Sequence, residues 1–91
     1  MSPIDKAKIR AIAERYGARN IRVFGSVARG DDRPDSDLDI LIDLEEGRSL
    51  LDLIAIQQDL EDLLGHRVDV VTEDGLNRYL KDGILKEAIP L

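Results

Sequence analysis

The sequence predicts an α/β (α+β) fold, in which a small mixed β-sheet is flanked by helices. Two observations predict it. Apolar residues recur at helical spacing in three long segments, and they alternate with polar residues in the shorter segments between them. The order of elements is then helix, strand, strand, helix, strand, helix. Since the chain has 91 residues, we expect residues 1–91 to form one domain around a single core.

The first helix and the first strand are predicted from their boundary signals. Ser2 is a favourable helix cap, Pro3 suits the first helical position, and Gly17 is a good stop. Residues 21–24 then form a short apolar strand, which is expected to end at the glycine that follows.

The second strand shows the clearest alternation in the chain. From residue 37 onward, acidic and apolar side chains alternate. The strand is therefore expected to bury one face and to present carboxylates on the other. The apolar set is Leu38, Ile40, Ile42 and Leu44, and the acidic set is Asp37, Asp39 and Asp43.

The rest of the chain predicts a helix, a strand and a helix. Ser49 caps the second long helix, with Asp52 in capping-box position, and Gly65 ends it. Residues 67–72 form a third strand, and residues 76–88 form the last helix.

Composition excludes several classes of function. The chain has 43% hydrophobic residues, 35% charged residues and no cysteine, which fits a compact cytoplasmic protein without disulfides or thiolate metal sites. No apolar run approaches the length needed to cross a bilayer, and no secretory signal is present, so no membrane role is expected. The net charge of −6 argues against direct nucleic-acid binding, which needs a basic face.

Three aspartates predict a site for divalent cations. Asp37 and Asp39 lie two apart on one strand and project from the same face, and Asp69 can join them if the third strand is a neighbour. Carboxylates that converge in this way repel one another unless cations neutralise them. Mg²⁺ prefers oxygen ligands and often shares them with substrate phosphates.

The Gly25-Ser26 turn supplies a complementary feature. Glycine lets the backbone approach a ligand closely, and a helix that begins at Ser26 would direct free N–H groups at an anion. Phosphate binding by this turn and cation binding by the strand together favour phosphoryl or nucleotidyl transfer.

Each of these features alone has an ordinary structural interpretation. An isolated Asp-x-Asp pair is usually a solvated part of a sheet face, and a Gly-Ser pair is usually a turn. Only their combination, in this order and at this spacing, favours a site. Tyr16 and Tyr79 are interpreted as packing residues rather than as surfaces for base stacking.

The combination resembles a known family. The sequence GSVARG at residues 25–30, SDLD at residues 36–39 and an acid on a later strand match the pattern G-S-x-A-R-G-x(n)-S-D-x-D. This is the pattern of minimal nucleotidyltransferases of the DNA polymerase beta superfamily, to which aminoglycoside nucleotidyltransferases also belong. The resemblance covers essentially the entire chain and implies the polymerase-beta-like nucleotidyltransferase fold.

The resemblance also implies roles for individual acids. Asp37 and Asp39 would bridge two Mg²⁺ ions, and Asp69 would bind the catalytic ion and help to activate the incoming hydroxyl. All three are catalytic and metal-binding residues in this interpretation.

In the same interpretation, three residues would bind the nucleotide. Gly25 and Ser26 would hold the triphosphate of ATP. Arg29 would brace the loop by pairing with an acid, with contact to phosphate as its less favoured role.

The resemblance implies an antitoxin that acts on a HEPN-domain toxin. Proteins of this length in the family commonly transfer AMP to a tyrosine of such a partner. Two alternatives stay open at this point. The chain could be a catalytically weak antitoxin that acts by binding alone, or a small-molecule nucleotidyltransferase of the aminoglycoside type, although 91 residues leave no space for the additional helical domain of those enzymes.

Overall fold

The computed structural model describes residues 3–25, 28, 30 and 37–91, and for residues 3 and 4 it describes the backbone alone. It confirms the predicted order of helices and strands and adds a short strand at the C-terminal end. The elements are α1 (Pro3–Arg15), β1 (Ala18–Phe24), β2 (Leu38–Leu44), α2 (Leu50–Leu64), β3 (Val68–Thr72), α3 (Arg78–Glu87) and β4 (Ile89–Pro90).

The four strands form one mixed sheet in the order β3-β2-β1-β4. β1 is antiparallel to both β2 and β4, whereas β2 and β3 are parallel. A parallel pair needs a crossover connection, and α2 provides it between β2 and β3. This crossover brings the N-terminal ends of β2 and β3, where the predicted acids lie, to the same edge of the sheet.

The core lies between one face of the sheet and the helices α1 and α2. Aliphatic side chains from the sheet and from both helices are completely or almost completely buried there, among them Ile9, Ile40, Ile56, Leu60 and Val68. The predicted apolar face of β2 is therefore confirmed. The low aromatic content is compatible with this core because branched aliphatic side chains can fill a thin layer at high density.

Tyr16 links the two core helices. Its ring packs against the core, and its hydroxyl donates a hydrogen bond of 2.7 Å to Asp59 Oδ2 on α2. Because the carboxylate of Asp59 accepts this bond from the neutral phenol, the pKa of Tyr16 is raised above its ordinary value. The expectation that Tyr16 is a packing residue is confirmed.

β1 begins three residues earlier than predicted, at Ala18. Its pairing with β2 is irregular between Arg19 and Arg22, and Asn20 between them has a positive φ of 51°. Arg22 is buried. Its guanidinium contacts the carboxylate of Asp43 at 3.3 Å and that of Glu73, the residue after β3, at 3.5 Å. Because Arg19 and Asn20 are polar, the first residues of β1 show no apolar alternation in the sequence, and the start of the strand was predicted too late.

The second helix follows its boundary signals closely. The Ser49 side chain accepts a hydrogen bond from the backbone of Leu51, and the Asp52 side chain accepts one from the backbone of Ser49, which completes the capping box. Gly65 ends the helix in the left-handed conformation, at a φ of 73°.

The last helix is attached differently from the other two. None of the residues of α3 is buried, and the prediction that Tyr79 packs is wrong, because its side chain is 89% exposed. The helix is connected to the sheet by Lys81, which lies 3.9 Å from Glu73, and by the strand β4 that follows it. None of the helices in the described part of the chain is long and apolar enough to span a membrane.

Candidate active site

Asp39 and Asp69 lie side by side on the two parallel strands. Their Cα atoms are direct partners in the register of β2 and β3. Residues paired in this way project from the same face of the sheet, about 4.8 Å apart along the hydrogen-bonding direction. The sequence-based requirement that these two acids share a face is therefore met by the backbone itself.

Asp37 is brought to the same edge, and an arginine lies between it and Asp69. Arg67 Nε is 3.9 Å from Asp37 Oδ2 and 3.7 Å from Asp69 Oδ1. The three side chains are all partly solvent-exposed: 45% for Asp37, 39% for Asp69 and 70% for Arg67. A single guanidinium thus faces two of the three predicted metal ligands.

Gly25 forms the other wall of the site. It directly follows β1, where Phe24 pairs with Asp39, and its φ of +76° is one that side-chain-bearing residues rarely adopt. A Cβ added to Gly25 would collide with Asp39 Oδ2 and would lie 3.2 Å from Asp39 Cγ. The turn and the carboxylate are therefore in direct contact, and a side chain at residue 25 would force the Asp39 carboxylate to shift.

The backbone of this turn is held by the last helix. The N–H of Gly25 donates a hydrogen bond of 2.8 Å to Oε1 of Glu87, although the two residues are 62 positions apart in the chain. Sequence reasoning missed both Glu87 and Arg67. Glu87 lies near the end of the predicted last helix, and Arg67 immediately precedes the strand of Asp69, but neither position has an alternation or motif signal of its own.

The predicted acids fit magnesium in type and in backbone placement. Asp37, Asp39 and Asp69 offer only oxygen ligands, the type that Mg²⁺ prefers, and two of them already have a positive charge, that of Arg67, within 4 Å. In the described residues, no three such side chains lie close enough to one another to hold an ion. The carboxylates would therefore have to turn away from Arg67 and toward one another when an ion binds.

Two predicted site residues, Ser26 and Arg29, lie outside the described residues.

Asp43, which shares the acidic face of β2, is at the far end of the strand. Its carboxylate accepts hydrogen bonds from Arg22 and Asn20, which gives it a structural role away from the site. A cavity of about 380 Å³ opens at that far end, lined by Asp43, Leu44, Glu45, Glu46, Gly47, Arg48, Thr72, Glu73 and Asp74.

The arrangement defines a class of site. Carboxylates on neighbouring parallel strands, in contact with a glycine turn, combine cation ligands with a backbone that a phosphate group can approach. Enzymes that transfer phosphoryl or nucleotidyl groups need both, because the reaction concentrates negative charge between the attacking and leaving oxygens.

Comparison with known proteins identifies the family. The family model for the nucleotidyltransferase domain matches residues 6–91, and the chain belongs to this family. A relative from Thermococcus cleftensis, named protein adenylyltransferase MntA, is 45% identical over 80 residues, which cover 88% of this chain and 81% of the relative. The chain is thus a nucleotidyltransferase, as the resemblance implied.

Solved structures agree with the family assignment. A chain assigned as a minimal nucleotidyltransferase is 51% identical, with a TM-score of 0.88 over 97% of this chain and 90% of the other. A toxin–antitoxin structure with AMP-PNP has a TM-score of 0.81 at 21% identity, over 93% and 70% of the two chains. A complex of a tri-AMPylated Shewanella oneidensis HEPN toxin with its MNT antitoxin has a TM-score of 0.76 at 18% identity, over 99% and 71%. These last two show the fold.

Proposed function

We propose that this chain is the antitoxin of a toxin–antitoxin pair and that it transfers AMP from ATP to a tyrosine hydroxyl of a HEPN-type toxin. The observation that carries the proposal is the in-register pair of Asp39 and Asp69 with Gly25 against it. The 45% identical relative named protein adenylyltransferase supports the reaction. The structural neighbours with AMP-PNP and with an AMPylated HEPN toxin support the nucleotide and the partner.

Asp37, Asp39 and Asp69 would hold two Mg²⁺ ions. When bound, the ions would offset the charge of the triphosphate and the charge that develops on the reacting oxygens. The removal of a carboxylate charge at any of the three positions would weaken this site, because a neutral side chain lacks the negative charge that binds the ion.

The chain's own residues would position the reactants. Gly25 and Ser26 would hold the triphosphate, and Arg29 would brace the turn. The tyrosine oxygen forms a bond to the α-phosphorus while the bond from that phosphorus to the bridging oxygen breaks, and pyrophosphate leaves with the electron pair. Asp69 would help to activate the tyrosine hydroxyl by accepting its proton, and its carboxylate, which is 39% exposed, leaves room for the hydroxyl to approach.

The openness of the site favours a macromolecular acceptor. The side chains of Asp37 and Asp69 are 45% and 39% exposed, so the described residues leave both carboxylates open to an approaching acceptor. A tyrosine presented on a protein surface would supply the missing wall and the orientation for in-line attack.

The position of the transferred label tests the reaction. The chain is incubated with Mg²⁺, the protein encoded by the neighbouring gene, and ATP labelled at either the α- or the γ-phosphate. Label from the α-phosphate should appear on the partner, and label from the γ-phosphate should appear in pyrophosphate. Transfer of the γ-label to the partner, or transfer of neither label, would contradict the proposal; a stable complex without transfer would favour an antitoxin that acts by binding alone.

A further inference from the structure

Glu87, the last residue of α3, contacts the turn to which the proposed function assigns the nucleotide. Its Oε1 accepts a partly buried hydrogen bond from the backbone N–H of Gly25, with an N···O distance of 2.8 Å. Hydrogen bonds from a backbone N–H to a carboxylate are among the stronger ones, since one partner is ionised. The bond joins the C-terminal end of the chain to the predicted catalytic edge of the sheet.

The bond acts at a point where little displacement is tolerated. Gly25 lies against Asp39 so closely that a Cβ would collide with the carboxylate. A shift of the Gly25 peptide toward β2 would bring its backbone against the Asp39 side chain, and a shift away would loosen the contact. The position of this peptide therefore limits the space that the side chain of a predicted metal ligand can occupy.

The position of Glu87 is itself fixed by the fold. β4 begins two residues after Glu87 and pairs with β1: Ile89 pairs with Val23, and Pro90 pairs with Arg22. These partners lie two and three residues before Gly25 on β1. Because α3 has no buried residue of its own, the pairing of β4 with β1 and the contact of Lys81 with Glu73 hold the helix near Gly25.

We propose that Glu87 is a positioning residue for nucleotidyl transfer: its carboxylate holds the Gly25 peptide and thereby keeps Asp39 in place. The inference rests on the proposed function and deepens it. In this structure the N–H of Gly25 is committed to Glu87, so the contribution of Gly25 is the space that it leaves for Asp39 and for the approaching triphosphate.

Three substitutions and a control test this role. Glu87→Ala removes the acceptor, Glu87→Gln keeps an uncharged acceptor of the same length, and Glu87→Asp keeps the charge but withdraws it from Gly25. Asp82→Ala, at an exposed acid of the same helix, is the control for loss of one negative charge. The readouts are the amide resonance of Gly25 in the free protein, the affinity for AMP-PNP with Mg²⁺, and kcat and KM for AMP transfer.

We expect Glu87→Ala to move the Gly25 amide resonance upfield and to lower kcat by about tenfold, the scale of one hydrogen bond to a charged group. KM for ATP should change less than kcat, because the effect passes through Asp39. Glu87→Gln should retain more activity than Glu87→Ala, and Asp82→Ala should match the unaltered chain. A general loss of stability would not produce the rescue by glutamine.

The inference is overturned if Glu87→Ala transfers AMP as the unaltered chain does, or if its Gly25 resonance does not move. If Glu87→Ala fails to fold, Glu87→Asp decides: a severalfold loss of kcat supports the role, and unchanged kcat overturns it. An unaltered chain that binds AMP-PNP but transfers no AMP would instead contradict the proposed function, and the Gly25 resonance would still decide the contact with Glu87.

Discussion

Gly25 shows how the absence of a side chain can define a site. Two separate costs oppose any other residue there: the left-handed backbone at a φ of +76°, and the overlap of a Cβ with Asp39. The first cost is common to several glycines among the described residues, and an added Cβ at Gly17 would also meet a side chain, that of Arg48, whereas overlap with a predicted metal ligand is particular to Gly25. A comparison of two glycines therefore separates strain in the backbone from damage to the site.

Gly25→Ala is expected to abolish most AMP transfer and to lower the free energy of unfolding by more than the roughly 1–2 kcal/mol of left-handed strain. Gly47→Ala is the matched control, because Gly47 has a φ of +89° and nothing within 4 Å of an added Cβ. Urea unfolding and transfer rates measure both effects. Equal losses of stability and activity in the two variants would contradict a specific contact between residue 25 and Asp39.

Asp39→Asn is expected to keep the fold and to abolish transfer. The amide is almost isosteric with the carboxylate, but it lacks the charge that a divalent ion requires. Asp43→Asn is the control on the same strand and face, since Asp43 pairs with Arg22 at the far end and should leave the transfer rate nearly unchanged. Calorimetric titration with Mg²⁺ gives a readout independent of activity. Wild-type Mg²⁺ affinity in Asp39→Asn would contradict the assignment of a ligand.

At the level of elements, alternation and capping signals predicted most of the fold. The buried face of β2, the capping box of α2 and the left-handed Gly65 all follow from side chains close in sequence. The early start of β1 did not, because Arg19 and Asn20 interrupt its pattern. β4 was missed because two residues ending in proline carry no periodicity, and its pairing depends on a strand more than 60 residues away.

The candidate site shows the same division. Asp37, Asp39 and Gly25 were predictable, since they lie within one motif. The parallel register that brings Asp69 to Asp39 was only a possibility in the sequence, because strand order depends on the crossover through α2. Arg67 and Glu87 could not be predicted at all, since their contacts are set by tertiary structure.

The cap of α2 gives a prediction for an element. Ser49→Ala should lower the free energy of unfolding by about 1 kcal/mol, because it leaves a backbone N–H without its side-chain acceptor. Ser49→Asp should stay close to the unaltered chain, since aspartate caps about as well as serine. Denaturant unfolding measures both. If Ser49→Ala were as stable as Ser49→Asp, the cap would contribute nothing to the fold.

The link between α1 and α2 gives a prediction for alkaline pH. The raised pKa of Tyr16 means that folding favours its neutral form, so its stabilising contribution is present below the ordinary tyrosine pKa of about 10 and is lost as the pH rises through the folded value. The difference in unfolding free energy between the unaltered chain and Tyr16→Phe should therefore shrink above about pH 10. A difference that stays constant up to that range and beyond would contradict the hydrogen bond to Asp59.

At the scale of the whole molecule, the described residues combine a small closed core with an open edge that carries the candidate site. α1 and α2 cover one face of the sheet, while the carboxylates at the N-terminal ends of β2 and β3 are only partly covered in the described residues. Such a domain has little surface with which to enclose a small acceptor. A partner protein that completes the site is consistent with this shape, and the cytoplasmic location and the lack of direct nucleic-acid binding stay predictions.

In the proposed function, the acids at this edge catalyse the transfer of AMP to a tyrosine of a HEPN-type partner. Intact-mass measurement of the partner after incubation with ATP and Mg²⁺, followed by peptide mapping, tests it most directly. The unaltered chain should add one or more AMP units on tyrosine, and Asp69→Asn, which retains the shape of the side chain but not its charge, should add none. An unmodified partner, or equal modification by Asp69→Asn, would contradict the claim.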